Sequence, residues 1–357
     1  MSFYGIDLGT TYTKCAVVTP SNDLKVIRLD RGDVSHPENT LDVLRSAVAV
    51  TTEDGVRKAY VGQRAWSQFD DWDEFNDPPF KRFEEAKIYM GEVNRGDAAA
   101  PPWPFAPHDW SYRPEDIGAL VLRKVQREAA AQGHPKMTGV VITHPQEFTE
   151  SRREATRQAV SVAGLNIIET LTEPDAAAIM FGKTAAPGIY MVFDLGGGTL
   201  DITVVRIQGV GNTEVLTSEG VRQGGRDWDR RIFERMIEQF QDSFPDFTVE
   251  LMDDVTRLSW LRLAEQIKWQ LTNETSGSDP SAGGTLNWNW DDRPYRKRFR
   301  LVRSEFEAIT HSLVQACRAC TLQALANRSL SWTDITGVLL VGGSTRLRAI
   351  RAMLQEE

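Results

Sequence analysis

Apolar residues come in short runs separated by turn-forming clusters from the start of the chain. Phe3 to Asp7 predicts a strand, Gly9-Thr10-Thr11 a turn, and Cys15 to Val18 the returning strand. Residues 28–45 read as a loop, with further strands at Ala47 to Thr51 and Ala59 to Val61 around the turn Glu53-Asp54-Gly55. Residues 66–114 have no clear period. They hold Asp77-Pro78-Pro79, a short helical stretch and a Pro/Ala-rich run from Ala98 to Pro107 that reads as a surface excursion.

From residue 114 the pattern is regular. Pro114 with Glu115 and Asp116 opens a helix, because proline and acids suit a first turn, and Ile117, Leu120, Val121, Val125 and Ala129 give it an apolar face. Val140-Val141-Ile142 predicts a buried strand ending at His144-Pro145. A helix follows from about Ser151 to Gly164, then a short strand at Ile167-Ile168 and a helix from Thr172-Glu173-Pro174 to Gly182. This order indicates an α/β layer. A second strand pair, Tyr190 to Phe193 and Leu200 to Val205, flanks Asp194-Leu195-Gly196-Gly197-Gly198-Thr199. Asp194-Leu195-Gly196 answers Asp7-Leu8-Gly9, which predicts a duplicated architecture of two related lobes facing one another. Helices are expected around 228–242, 253–272 and 304–326, with a polar loop from Ser276 to Gly284 and a hairpin within Trp288 to Arg300. A last strand, Gly337 to Val341, runs into Gly342-Gly343-Ser344-Thr345 and another helix.

Composition narrows the class. At ~150 residues per domain, 357 residues allow about two domains. With 41% hydrophobic and 25% charged residues, the chain is neither disordered, collagen-like nor a coiled coil. No apolar run approaches the ~20 residues of a membrane helix, and the N-terminus has no basic stretch leading into an apolar core. A net charge of −9 argues against a general nucleic-acid binder, while leaving room for a local anion site. Three cysteines are too few for a disulfide framework, so a cytoplasmic location is expected. Cys317-Arg318-Ala319-Cys320 falls on the face of Phe306, Ile309 and Leu313, and reads as core packing rather than a metal site. Trp288 and Trp290, two apart, share one strand face, with packing as the default reading.

Three Gly/Thr/Ser-rich turns follow apolar strands: Gly9-Thr10-Thr11, Gly196 to Thr199, and Gly342 to Thr345. Glycine lets a backbone approach a ligand, and successive N–H groups then cradle an anion. Two of these turns begin at a strand-end aspartate. Facing aspartates suit Mg²⁺ held through water and phosphate oxygens, so the turns together predict a Mg-nucleotide gripped between two hairpins. One such turn is more often a plain β-turn; the bracketed form Asp194-Leu-Gly-Gly-Gly-Thr-Leu-Asp201 is far more specific.

On these residues the chain resembles the ATPase domain of the Hsp70 chaperones, within the actin/hexokinase/Hsp70 superfamily. Gly5 to Tyr12 and Asp194 to Asp201 are close to its phosphate motifs, and Leu339 to Arg346 to its adenosine motif. The resemblance is thinnest at 62–113 and 274–300. It implies an α/β, actin-like ATPase fold of duplicated ribonuclease H-like lobes around a central nucleotide cleft. Lobe I would be 1–182, with an insertion at about 36–113. Lobe II would be 183–357, with an insertion at about 226–305 and an incomplete return to lobe I.

The implied activity is hydrolysis of Mg-ATP to ADP and phosphate, driving lobe rotation, with K⁺ as a further candidate cation. Asp7 and Asp194 would hold Mg²⁺ through water. Gly9, Thr10, Thr11, Tyr12 and the amides of Gly196, Gly197 and Gly198 would contact phosphates. Thr199 would lie near the γ-phosphate, and Asp201 and Glu173 near the attacking water. Gly224, Gly225, Gly342, Gly343, Ser344 and Arg346 would line the nucleotide, and Glu265, Lys268 and Thr272 would close over its adenosine. Those last three share one helix stripe, beside the apolar stripe of Trp260, Leu263, Ile267 and Leu271; without the resemblance they read as a solvated face. The family's active-site lysine has two candidates. Lys87 has a glycine four residues on, as in the family, and Lys81 sits in a Lys-Arg pair; Lys87 is preferred. Pro145 and Arg153 match the interdomain switch.

Three positions depart from the family pattern: His144 and its neighbours in the switch, Arg226 in place of a glutamate, and Arg348 in place of a proline. The chain stops at Glu357, before the strand, helix, linker and client-binding domain with which the family continues. It is therefore expected not to hold a client peptide, whether it is a fragment or a naturally short protein. A J-domain co-chaperone and a nucleotide exchange factor are the implied partners, with neither nucleic acid nor membrane. The alternatives are an actin-like filament protein, a small-molecule kinase of the superfamily, and a nucleotide-binding scaffold without turnover.

Overall fold

The computed structural model describes residues 3–19, 21, 23–30, 42–53, 55–67, 81–91, 112–182, 185–209, 212–273, 277–291 and 293–357. The chain forms two compact units. One is Met1–Ala185 with Gly209–Gly211; the other is Ala186–Gln208 with Asn212–Glu357. Each has its own apolar core.

In the first unit, β1 (Phe3–Leu8) and β2 (Tyr12–Val18) form the predicted antiparallel pair, with Asp7 opposite Lys14 and Leu8 opposite Thr13. β3 (Leu24–Val26) and β4 (Leu44–Arg45) both pair with β2. β5 (Val48–Glu53) lies between β6 (Val56–Val61) and β7 (Lys81–Phe83) in a separate three-stranded sheet. Two short helices, α1 (Gln63–Ser67) and α2 (Ala86–Tyr89), flank β7 in sequence. α3 (Pro114–Ala131) starts where proline and acids place it. The Arg113 amide donates to Asp116 Oδ2 at 2.9 Å, and Ile117, Val121, Leu122, Val125 and Ala129 are buried.

β8 (Gly139–His144), α4 (Glu150–Val162), β9 (Asn166–Thr172) and α5 (Glu173–Gly182) complete this unit. β8 runs parallel to both β1 and β9, so the main sheet has the order β3-β2-β1-β8-β9. β9 is longer than the two residues predicted, because its later half, Glu169-Thr170-Leu171-Thr172, pairs with β8 while carrying mostly polar side chains.

The second unit repeats the theme. β10 (Gly188–Leu195) pairs antiparallel with β11 (Leu200–Gly209) and parallel with β15 (Gly337–Val341), and β12 (Asn212–Val221) closes the order β12-β11-β10-β15. β12 is absent from the sequence reading because only Leu216 in it is buried, so no apolar alternation marks it. α6 (Gly225–Ser243), α7 (Asp254–Asn273), α8 (Arg303–Ala326) and α9 (Arg348–Gln355) supply the helices.

β13 (Ser281–Trp290) and β14 (Arg293–Val302) form the predicted hairpin, but it is longer. Residues 281–284, expected as loop, belong to β13. Gly283 and Gly284 gave that stretch a loop-like composition. Yet a Cβ on Gly283 would lie 2.2 Å from the Phe299 carbonyl oxygen, so close packing against the partner strand requires glycine there. Trp288 is buried, and Trp290 stacks on it at 5.4 Å with 40% of its surface exposed. Cys317 is buried, and burial pushes its thiol up to about 12, as suits a core residue. No helix among the described residues is long and apolar enough to cross a membrane. The loop expected at 28–45 falls partly, and the Pro/Ala-rich run wholly, outside the described residues.

Candidate functional site

In the second unit, three glycine turns converge on the C-terminal end of β10. Asp194 lies opposite Asp201 on β11 and beside Val341 on β15. The turn between β10 and β11 is closed by the Gly196 amide donating to the Thr199 carbonyl at 3.0 Å. Its carbonyls are taken up from behind. The Gly225 and Arg226 amides at the start of α6 donate to Gly196 O and Gly197 O at 2.9 and 3.0 Å, and Ser344 Oγ donates to Gly196 O at 2.9 Å. The amides of Gly197 and Gly198 have no hydrogen-bond partner among the described residues. A turn that commits its carbonyls and leaves successive N–H groups open has the geometry in which amides can receive an anion.

Glycine is needed where the turns touch. A Cβ on Gly224 would sit 2.4 Å from the Gly198 nitrogen. Gly342 has φ +82°, and a Cβ there would lie 2.7 Å from Asp194 Oδ1 and 2.3 Å from the Leu195 carbonyl oxygen. At Gly224 and Gly342 the backbones thus approach too closely for a side chain, while at Gly225 the Ser344 hydroxyl takes the space a Cβ would need.

α7 locks this arrangement. Lys268 Nζ donates to the Gly225 carbonyl at 2.8 Å and to Asp229 Oδ2 at 2.7 Å, both on α6. Burial pushes the Asp229 carboxyl up, to about 6, with the Lys268 ammonium opposing the shift and the Glu265 carboxylate adding to it. Lys268, one of the residues expected to close over the adenosine, thus ties α7 to α6. The Thr272 hydroxyl donates to the Lys268 carbonyl at 2.7 Å. A recess of about 520 Å³ beyond it is lined by Thr272, Asn273, Arg346, Arg348 and Arg351, which brings together two of the residues assigned to adenosine. Asp201 is buried, 3% exposed.

In the first unit, the turn after β1 is held by Ser46. Its amide donates to the Thr11 carbonyl and its hydroxyl to the Gly9 carbonyl, both at 2.8 Å. Thr11 Oγ1 is buried without a hydrogen-bond partner among the described residues, an orphan that a phosphate oxygen would satisfy. Asp7 Oδ1 accepts from the Thr143 hydroxyl of β8 at 3.4 Å. Tyr12 is exposed, and its hydroxyl accepts from Arg45 at 3.2 Å.

Lys87 forms an ion pair with Glu173 at the N-terminus of α5; their side chains are only 9% and 15% exposed. Its ammonium lies 5.9 Å from the centre of the Phe148 ring, over which the Arg152 guanidinium also lies, at 4.0 Å. Arg152 donates to the Ile88 carbonyl at 3.0 Å, pinning α2 to α4. The Lys81 side chain lies outside the described residues, so of the two lysine candidates only Lys87 has a described environment. His144 Nδ1 contacts the Pro145 carbonyl at 2.8 Å, its ring stacks on Phe148 at 6.2 Å, and Arg153 donates to the Gln146 carbonyl at 3.4 Å.

Sequence reasoning missed Ser46, Thr143, Phe148, Arg152 and Asp229. The only signal was the four-residue spacing of Phe148 and Arg152; the other three act through sequence-distant contacts. No group of three or more His, Cys, Asp or Glu gathers as a metal cage among the described residues.

A family model described as Hsp70 protein matches residues 74–357. The chain belongs to the Hsp70 family. The α/β actin-like ATPase fold expected from the motifs is the fold class of that family. A chaperone protein HscA homolog from Laribacter hongkongensis is 34% identical over 361 residues, covering 97% of this Hsp70 chain and 53% of that protein. Chaperone protein DnaK of Deinococcus radiodurans is 33% identical over 99% of the chain and 55% of its own length. Chaperone protein DnaK of Thermotoga neapolitana is 32% identical over 99% of the chain and 54% of its own length. The chain thus spans about half the length of the curated relatives it matches.

Proposed function

We propose that this Hsp70 chain is an Mg-ATPase, the nucleotide-driven part of a chaperone. The observation that carries the reading is the Gly196–Thr199 turn, its carbonyls bound from behind by α6 and Ser344 and its Gly197 and Gly198 amides open. The orphaned Thr11 hydroxyl supports the same reading in the first unit.

In this proposal each unit contributes a phosphate-binding turn. The Gly197 and Gly198 amides, with Gly9, Thr10, Thr11 and Tyr12, bind phosphate oxygens. Arg346, Gly342, Gly343, Ser344 and Thr272 take the adenosine. Glu265 and Lys268 close over the adenosine beside Thr272, and Lys268 also donates to the Gly225 carbonyl. Asp7 and Asp194 are the residues that would hold Mg²⁺ through its waters. The ion would supply neutralisation of phosphate charge.

Glu173 and Asp201 orient the attacking water, and Thr199 lies near the γ-phosphate. Water attacks the γ-phosphorus in line, the bond to the bridging oxygen breaks, and ADP and phosphate leave. Such transfer depends on positioning and charge stabilisation more than on covalent chemistry. The Glu173 ion pair gives Lys87 a fixed position, and we prefer it to Lys81 as the active-site lysine for that reason. Pro145 and Arg153 would pass the state of the γ-phosphate on as lobe rotation. A cytoplasmic setting, a J-domain co-chaperone and a nucleotide exchange factor go with this reading.

The test is thermal unfolding with and without Mg-ATP beside phosphate release, for the wild type and Thr199→Ala. Saturating nucleotide at ~100 times Kd should stabilise by about 2.7 kcal/mol. Thr199→Ala should keep that shift and lose most phosphate release. Absence of any shift with ATP or ADP would overturn nucleotide binding; a shift without phosphate release in the wild type would overturn turnover alone.

A further inference from the structure

The β13–β14 hairpin has two unlike faces. The register sets Gly283 opposite Arg300, Thr285 opposite Arg298 and Asn287 opposite Arg296, and all six are exposed. The alternate residues, among them Leu286, Trp288, Phe299 and Leu301, are buried in the unit's core. β14 carries Arg293, Arg296, Lys297, Arg298 and Arg300 without a single acid, and β13 carries no charge. This concentration of positive charge stands in a chain of net charge −9.

Other surface arginines of the same unit sit on carboxylates: Arg206 on Glu214, Arg231 on Glu234, Arg235 on Glu305. Arg296 and Arg298 have no ion-pair or hydrogen-bond partner among the described residues, and Arg300 donates only to Ser281 Oγ, at 2.9 Å. Like charges along one strand face repel, so the row weakens the hairpin unless something anionic lies against it.

We propose that this face binds an extended acidic segment of a partner protein, whose alternate carboxylates meet Arg296, Arg298 and Arg300. Strand geometry spaces the arginines at ~7 Å intervals, the same repeat as alternate side chains of an extended peptide. A guanidinium forks onto a carboxylate with two parallel hydrogen bonds, which fixes register as well as adding attraction. A nucleic acid fits less well. The exposed face carries no aromatic ring for bases to stack on, since Trp288, Trp290 and Tyr295 all belong to the opposite face, and the net charge repels a long polyanion. No residue of this face belongs to the nucleotide machinery, so the inference stands apart from the proposed ATPase activity.

The experiment is fluorescence polarisation of a labelled octapeptide alternating glutamate and threonine against the full chain at low salt. The wild type should bind it, and Arg296→Ala/Arg298→Ala should weaken binding by at least about tenfold. Arg296→Lys/Arg298→Lys should fall between, because an ammonium cannot fork onto a carboxylate. No binding by the wild type, equal binding by the alanine variant, or tighter binding of an oligothymidylate than of the peptide would overturn the proposal. Both variants should unfold at or above the wild-type midpoint, since the row weakens the hairpin; a lowered midpoint would mean that the arginines serve the fold instead.

Discussion

His144 is buried at the end of β8, and its surroundings set how its imidazole responds to pH. Burial holds its imidazole below the ordinary 6.5; the bond to the Pro145 carbonyl pulls the other way, and the charges of Arg153, Lys87 and Arg157 add to the depression. The unfolded chain therefore takes up a proton at a higher pH than the native one. The His144 contribution to stability is complete above pH 6.5 and is lost as the pH falls through that value toward the folded pKa. Urea unfolding at a series of pH values should show stability declining below that point, and His144→Val should flatten the decline. An identical pH profile in the variant would remove His144 as its cause. At this scale the sequence marks the glycine turns through their motifs. It does not mark their supports. Ser46, Thr143 and Arg152 are ordinary polar residues until folding places them against Gly9, Asp7 and Ile88.

Among the elements, α6 joins the Gly196–Thr199 turn at its start to an aromatic core farther along. Its first amides hold the Gly196 and Gly197 carbonyls, while Phe240 meets Phe244, Phe247, Trp260 and Trp288 with ring centres 4.7 to 6.2 Å apart. Phe240→Ala should cost about 3–5 kcal/mol, the usual range for emptying a buried phenylalanine site. Chemical denaturation measures that directly, and a loss under about 1 kcal/mol would mean that the cluster collapses into the gap. Elements with an apolar stripe, such as α3 and β10, are legible from periodicity. β12 is not, because a mostly polar strand holds its place through backbone pairing that leaves no mark on the side-chain pattern. The first residues of β13 were hidden for a different reason: its glycines serve close packing but look like loop.

At the scale of the whole molecule, each of the two units encloses a separate apolar core, and separate cores need not melt together. Calorimetry without nucleotide should resolve two transitions, with Phe240→Ala lowering one midpoint and leaving the other in place. A single transition that shifts as a whole would show that the units unfold cooperatively. The Asp-Leu-Gly turn occurs twice in the sequence, each time behind an apolar strand and once in each unit.

The parallel pairing of β10 with β15 has a consequence for how this protein is made. Asp194 lies beside Val341, a residue added to the growing polypeptide long after it. While the ribosome works through the intervening helices and hairpin, one edge of β10 has no neighbour, and an open edge invites pairing with other chains. Gly342 and Ser344, which pack against the end of β10 and its glycine turn, arrive with that last strand. Until that last strand arrives, a nascent Hsp70 chain has an unshielded strand edge of its own, the kind of surface that invites association with other chains.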